Sequence, residues 1–191
     1  AVVLVATVRA LKYHGGVNRK ELEKENIPAL EKGFVNLEKH IDNMRMFGIP
    51  LVVAVNRFPT DTGAEIEKVR SLCRGKGVRA ALSEVFSRGG EGGEELAGQV
   101  LQAVQQDPKD FHPLYPLDMP LLEKIETVAK NIYGAAGVAM EGKISRKISG
   151  YEKKGFGRFP VCIAKTQYSL SDDDQVLGRP EGFTLIVTDA S

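Results

Sequence analysis

The feature that most constrains the fold is a pair of uninterrupted apolar runs with one amphipathic segment between them. Residues 2–8 and Leu51-Val52-Val53-Ala54-Val55 carry no charged side chain, as is typical of strands buried on both faces of a parallel sheet. Between these runs, apolar residues recur at steps of four, three, four and three, which keeps one helical face apolar. These residues are Leu30, Phe34, Leu37, Ile41 and Met44. The pattern predicts a βαβ unit with a right-handed crossover and a first strand in the centre of its sheet.

The same alternation continues along the chain. A helical pattern over 63–74 is followed by an apolar run at 78–82, a glycine-rich turn at 89–93 and a second helical pattern over 94–106. Strands that alternate with helices in this way indicate the α/β class with a parallel, doubly wound sheet.

The pattern changes after residue 106. The segment 107–120 contains four prolines and is predicted to be irregular. Helices are expected at 120–132 and 139–153, and strands at 161–167 and 183–188. We therefore predict two parts, an α/β sheet portion at 1–106 and a smaller α+β part at 107–191, with a soft boundary near 107–118.

Composition limits the classes of partner and compartment. The 26 basic and 25 acidic residues leave a formal charge of +1, which gives no reason to expect a nucleic-acid partner. No apolar run approaches the ~20 residues needed to span a bilayer. Cys73 and Cys162 lie in separate hydrophobic runs, so we expect buried free thiols and a cytoplasmic protein. Because the chain opens directly in an apolar strand, we also expect an incomplete piece of a longer protein.

Candidate binding residues follow two of the predicted strands. Asn56-Arg57-Phe58-Pro59 follows the second strand, and Ser83-Glu84-Val85-Phe86 follows the third. Ligands of open parallel sheets bind beyond the carboxyl ends of the strands. If the two strands are neighbours, Phe58 and Phe86 form a slot for a flat heterocycle, with Pro59 stiffening one wall. The alternative is that both phenylalanines merely cap the core.

Other motifs allow a functional and a structural interpretation. Asn56 could read the edge of a base, as in GTPase-like domains, but Asp61 comes too late for that motif, which favours a turn for both residues and helix capping by Asp61 or Thr62. Gly89–Gly93 precedes a helix and could bind phosphate, although the acidic residues beside it favour a structural turn.

No residue pattern points to a metal or to a nucleophile. Asp172-Asp173-Asp174, after Lys165-Thr166, could attract a cation, yet the spacing is not that of an EF-hand and a solvated loop is the simpler interpretation. The histidines are scattered along the chain, at His14, His40 and His112. We predict no catalytic residue and no metal site.

The residues themselves go further than their pattern. Val5-Ala6-Thr7-Val8-Arg9-Ala10-Leu11-Lys12-Tyr13-His14-Gly15-Gly16-Val17 resembles a signature of the formate–tetrahydrofolate ligases. Other similar segments follow in the family's order, at 36–41, 56–62, 81–86, 89–93, 132–134 and 160–173. The resemblance thus extends from one end of the chain to the other.

The resemblance implies an activity and a place in a longer enzyme. The family joins formate to tetrahydrofolate with ATP and Mg²⁺, through formyl phosphate, and gives 10-formyltetrahydrofolate in one-carbon metabolism. It implies a P-loop-NTPase-like core, a homotetramer, and a P-loop upstream of this chain. Within the chain it implies folate contacts by Phe58, Pro59, Leu82 and Phe86, with nucleotide-binding residues unknown.

Two positions depart from the family pattern. Phe86 stands where the family often has Trp, which keeps a stacking face but loses area and an N–H donor. Ala136 stands where the family pattern has Asp. The resemblance therefore leaves two functions open, the folate-binding part of a ligase that is inactive alone, or a non-catalytic folate-binding or assembly module.

Overall fold

The computed structural model describes residues 1–164, 168–171, 173 and 175–191. The chain forms two compact units, Ala1–His112 and Pro113–Ser191. Strands of the first unit are β1 (Val2–Ala6), β2 (Leu51–Asn56) and β3 (Arg79–Ser83), and its helices are α1 (Val8–His14), α2 (Ile27–Arg45), α3 (Gly63–Gly75), α4 (Val85–Arg88) and α5 (Glu94–Gln106). In the second unit lie α6 (Leu121–Val128), a π-helical turn (Ala129–Tyr133), β4 (Gly137–Met140), α7 (Gly142–Lys153) and β5 (Thr184–Val187). Short 3₁₀ turns occur at Arg19–Glu21, Gly89–Gly93 and Phe156–Arg158.

A parallel sheet in the order β1-β2-β3 organises the first unit. Alternate residues of β2 pack with α2 and α3 in one apolar core, while α5 contacts β2 and β3. The α/β class and the parallel strands are thus confirmed. Among the described residues the expectation that the first strand is central is wrong, because β1 pairs with β2 alone and leaves Val3 and Val5 exposed, whereas β2 is buried from Leu51 to Val55.

Helix boundaries in the first unit follow from caps. The side chain of Thr7 accepts a hydrogen bond from the amide of Ala10, so a helix begins at Val8. The first strand therefore ends at Ala6, two residues earlier than the apolar run alone predicts. Helix α2 crosses α1 very closely, since a Cβ added to Gly33 would lie 1.8 Å from the carbonyl oxygen of Leu11. Only glycine permits that approach.

The second unit is built on a parallel pair of strands, β4 and β5, with α6 and α7 packed around Leu121, Ile125, Ile144 and Ile148. Sequence patterns missed β4, because two of its four residues, Ala139 and Met140, fall within the helix predicted at 139–153, which in the structure begins at Gly142. The strand predicted at 161–167 is wrong for 161–164, where the Tyr115 hydroxyl accepts a hydrogen bond from the Val161 amide at 2.8 Å in place of a strand partner. Residues 165–167 lie outside the described residues.

Candidate functional site

The two predicted binding segments emerge at the same edge of the sheet. Strands β2 and β3 are parallel neighbours, and Asn56 at the end of β2 is paired with Ser83 at the end of β3. The amide of Arg57 donates to the carbonyl oxygen of Ser83 at 3.1 Å. The premise that these strands are adjacent is therefore confirmed, and the loops that follow them start side by side.

The segment from Arg57 to Thr62, called the Phe58 loop below, is closed by its own hydrogen bonds. The amide of Phe58 donates to Asp61 Oδ2 at 2.8 Å, and the amide of Asp61 donates to the carbonyl oxygen of Phe58 at 3.0 Å. Thr62 then caps α3 in a reciprocal capping box with Glu65. The predicted turn role of Asp61 and the predicted cap at Thr62 are confirmed, while Asn56 is a strand residue.

A buried ion pair lies beneath the Phe58 loop. Lys12 Nζ is 2.8 Å from Glu65 Oε1, and both side chains are fully buried. Lys12 also donates to the carbonyl oxygen of Lys24, and Glu65 accepts from the amides of Asn26 and Thr62. Burial alone would raise the pKa of Glu65, but the hydrogen bonds from Lys12 and the two amides outweigh it and lower that pKa. The pair connects α1 to the first turn of α3, and so fixes one end of the loop.

Asp61 is a second buried carboxyl group. Its Oδ1 atom has no hydrogen-bond partner among the described residues, and burial raises the pKa of this side chain above its ordinary value. An unpaired buried acceptor is costly to a fold, so the Phe58 loop carries a local destabilising feature.

Arg9 covers one face of the Phe58 ring. Its Cζ atom lies 4.7 Å from the ring centroid, within the range of a cation–π contact. The same guanidinium donates to Thr60 Oγ1 at 3.1 Å and lies 3.4 Å from Glu23 Oε1. Phe58 is half-buried and Pro59 is exposed.

The second loop, from Glu84 to Gly93, presents Phe86 to solvent on the short helix α4. The exposure of Phe86 is 101%, so it is not a cap on the core. The amide of Glu84 donates to the carbonyl oxygen of Gly92, where a Cβ would lie 2.5 Å from the backbone of Glu84. Across the two loops, Arg57 Nη1 and Glu84 Oε1 form an ion pair of 2.9 Å.

Leu82 has a position of its own. It lies in β3 opposite Val55 and packs, half-buried, against the core of the first unit. The structure thus gathers Phe58, Pro59, Leu82 and Phe86 on two adjacent strand ends. Their contacts with folate stay a prediction.

The other motifs of the sequence form no site in the described residues. Gly89–Gly93 is a 3₁₀ turn with acidic residues after it, as the structural interpretation required. Gly137 to Lys143 has P-loop spacing, but Gly137–Met140 forms β4 and Ile144, which replaces Ser or Thr, is buried in the core.

The remaining titratable candidates are equally unpromising as metal ligands. No cluster of three His, Cys, Asp or Glu side chains with metal-binding geometry occurs in 1–164, 168–171, 173 and 175–191. Helix packing brings His14 and His40 into electrostatic reach, and burial lowers the pKa of both. Lys165, Thr166, Asp172 and Asp174 lie outside the described residues.

The two cysteines and Ala136 were also singled out in the sequence. The prediction of two buried thiols holds for Cys73, whose pKa burial raises to about 11, and is wrong for Cys162, which is exposed in an irregular segment. Ala136 is exposed and its amide donates to the carbonyl oxygen of Phe183 at 2.7 Å, with nothing that explains the departure from Asp.

Sequence reasoning missed Arg9 and the pair of Lys12 with Glu65. Arg9 and Lys12 stand in the signature segment, and Glu65 stands in the helical pattern over 63–74. Their partners are distant along the chain, because Arg9 bonds Thr60 and Lys12 pairs with Glu65. A lysine at an apolar helical position of α1 was the available signal.

No helix in the described parts of the chain has the length and apolar character required to cross a membrane.

The family model described as formate–tetrahydrofolate ligase matches residues 1–191, that is, the whole chain. Members of this family ligate formate to tetrahydrofolate at the expense of ATP. The chain belongs to the formate–tetrahydrofolate ligase family.

Proposed function

We propose that this chain supplies the tetrahydrofolate-binding part of an ATP-dependent formate–tetrahydrofolate ligase. The observation that carries the proposal is the exposed ring of Phe86 on the strand end beside the Phe58 loop. A ligand that covers an exposed phenylalanine ring removes apolar surface from water, which favours binding. A pterin is a flat heterocycle that two aromatic faces would stack against.

In this proposal Phe58 and Phe86 bind opposite faces of the pterin, and Pro59 and Leu82 line its edge. Their role is to hold N10 of the folate where a formyl group can reach it. Such positioning lowers the barrier by converting an encounter between two molecules into a step within one complex. No side chain of this chain is required to accept or donate a proton.

Titration with tetrahydrofolate under anaerobic conditions tests the slot. Replacing Phe58 or Phe86 with Ala is expected to raise Kd about ten- to hundredfold, since a buried aromatic contact contributes ~1.5–3 kcal/mol. Phe111→Ala is the matched control, because Phe111 is exposed in the same unit but lies near Gly48, away from the carboxyl ends of the strands. Equal Kd values for all three variants and the unmodified chain would reject the slot.

We further propose that ATP, Mg²⁺ and formate bind chiefly to residues outside these 191. The chain has no complete Gly-x-x-x-x-Gly-Lys-Ser/Thr motif, and we expect no 10-formyltetrahydrofolate when it is incubated alone with formate, ATP and Mg²⁺. A full-length ligase of the family serves as the positive control. Product formed by the chain alone would contradict this part of the proposal.

A non-catalytic module is the second candidate function. In that case the chain binds folate or assembles with other chains but takes part in no ligation. It is favoured by the same absence of a P-loop motif from the 191 residues. Adding the chain to a ligase variant whose own Phe-Pro wall is replaced by alanines separates the two, because only a catalytic part restores product formation.

Family membership also supports three further proposals, on the fold, the oligomeric state and the location. These are a P-loop-NTPase-like doubly wound core to which the β1-β2-β3 sheet contributes, a homotetramer, and a cytoplasmic location, where free thiols such as Cys73 and Cys162 persist. Light scattering tests the tetramer, and fluorescence microscopy of a tagged protein tests the location.

A further inference from the structure

Arg9 contacts the ring of Phe58 and is not among the four residues of the proposed folate slot. It is the second residue of α1, directly after the edge strand β1. Its guanidinium lies over the Phe58 ring, with Cζ 4.7 Å from the centroid, and donates to Thr60 Oγ1 at 3.1 Å in the same loop. Arg9 thus holds both the ring of Phe58 and the side chain of Thr60, two positions further along the same loop.

This arrangement costs the fold free energy. The Nε–H group of Arg9 is buried and has no hydrogen-bond partner among the described residues, and neither has Oδ1 of Asp61. Throughout residues 1–112, all of which are described, these are the two buried side-chain atoms of this kind. Both lie next to Phe58, and unsatisfied buried groups in a native protein frequently mark a functional site.

We propose that Arg9 is a positioning residue for tetrahydrofolate, acting through Phe58. The guanidinium occupies one face of the ring and so leaves the opposite face for the pterin. This inference rests on the proposed folate slot and adds the residue that preorganises it.

Two physical effects would operate. A ring already fixed in its bound orientation loses less conformational entropy when the ligand arrives, which strengthens binding without a new contact. The planar guanidinium can stack and donate in its own plane at the same time, which the ammonium group of a lysine cannot do. Arg9→Lys is therefore not a conservative substitution at this position.

Titration with tetrahydrofolate and thermal melting of the 191-residue chain test the inference. Arg9→Met keeps the length of the side chain but removes the cation and its donors, and is expected to raise Kd about three- to tenfold. The melting temperature should stay close to that of the unmodified chain, because the substitution also removes a buried unpaired donor. Arg9→Lys is expected to restore little of the lost affinity.

The chain offers a matched control. Arg19 makes a similar cation–π contact, with Cζ 5.1 Å from the centroid of Tyr13 rather than of Phe58. Arg19→Met should leave Kd unchanged. In a Phe58→Ala background, Arg9→Met should have no further effect on Kd, since the two substitutions remove one interaction.

The outcomes separate this inference from the proposed function. If Phe58→Ala weakens binding and Arg9→Met does not, the positioning role is wrong and the slot stands. If Arg9→Met weakens binding equally with and without Phe58, Arg9 does not act through the ring and the inference is overturned. If neither variant changes Kd, the slot and the positioning role both fail.

Discussion

Each unit buries one lysine completely, and the two units accommodate the charge in different ways. In the first unit, Lys12 lies 2.8 Å from the carboxylate of Glu65 and donates to one backbone carbonyl. In the second, Lys124 donates to the carbonyl oxygens of Leu117, Gly157 and Phe159 at 2.7, 2.7 and 3.0 Å. No carboxylate of the described residues lies within ion-pair distance of Lys124.

The difference bears on what each lysine holds in place. Three carbonyls from two segments, one at Leu117 and one at 157–159, converge on Lys124, so the ammonium group joins these segments, with the ring of Tyr115 5.9 Å away. Lys12 instead joins two helices through a counter-charge, and its partner Glu65 also fixes the end of the Phe58 loop. Removal of Lys12 would leave an ionised carboxylate buried without its counter-charge, whereas removal of Lys124 would leave only neutral carbonyl groups. The same buried residue type should therefore respond differently to removal.

Lys12→Met is expected to have the largest effect. It leaves the ionised Glu65 buried without its cation, which costs about 3–5 kcal/mol of unfolding free energy. Urea unfolding measures the loss, and labelling of Cys73, buried in the same core, reports the first unit when Cys162 is replaced by Ser. Tetrahydrofolate binding should weaken as well, because the Phe58 loop loses its anchor.

A control separates the charge from the lost packing. Lys12→Met combined with Glu65→Gln removes the buried charge and keeps one of the two acceptor oxygens that serve the amides of Asn26 and Thr62, so it should recover part of the stability. The loss in Lys12→Met alone should also shrink as pH falls, because Glu65 then takes up a proton. In the unmodified chain the pKa of Glu65 is lowered from 4.5, so its stabilisation is present above that value and disappears as pH falls through the lowered pKa. A loss that is independent of pH would contradict the ion-pair account.

Lys124→Met is expected to cost less, about 2–3 kcal/mol, since it leaves neutral carbonyls rather than an ionised group without a partner. Its effect should not vary between pH 4 and pH 8, where none of those partners titrates. Urea unfolding followed by circular dichroism at several pH values in this range measures the loss of unfolding free energy. Tetrahydrofolate affinity of the folded variant should be unchanged, and a tenfold loss would place Lys124 or its loops in the folate site.

The two lysines also show where sequence reasoning stops. The helix over 94–106 and the amphipathic face of α2 followed directly from hydrophobic periodicity, whereas the adjacency of β2 and β3 was a condition of the slot that the structure fulfils. A lysine in an apolar segment signals burial or a stem that reaches the surface, and one-dimensional periodicity cannot distinguish them. The partner of Lys12 is 53 positions away at Glu65, so only the packed structure defines the pair.

Failures of the sequence reasoning have the same origin. The segment 161–164 has the composition of a strand, but the amide of Val161 donates to the side-chain hydroxyl of Tyr115 rather than to a neighbouring strand. β4 is short and its pairing with β5 depends on residues more than forty positions later. Among the site residues, Phe58 and Phe86 were reachable from strand ends, whereas Arg9 became visible only when its contact across β1 and β2 was known.

The smallest expected effect concerns another buried ionisable group, Asp61. Its pKa is raised from 3.8 by burial, so the carboxyl group stabilises the fold fully below the unfolded pKa and loses that contribution as pH rises through the folded pKa. Asp61→Asn keeps an acceptor for the Phe58 amide without the charge, and should stabilise the chain at neutral pH by up to about 1 kcal/mol. The gain should vanish in acid. Asp118→Asn, at an exposed aspartate, is the control and should change nothing. Thermal melting at a series of pH values measures the stability of both variants against the unmodified chain. If Asp61→Asn instead lowered the stability at neutral pH but not in acid, the Asp61 carboxylate would be stabilised by Lys12 and Arg9 more than burial penalises it. In that case the Phe58 loop would be held by three cooperating charges, and its contrast with Lys124 would be greater than the ion pair alone implies.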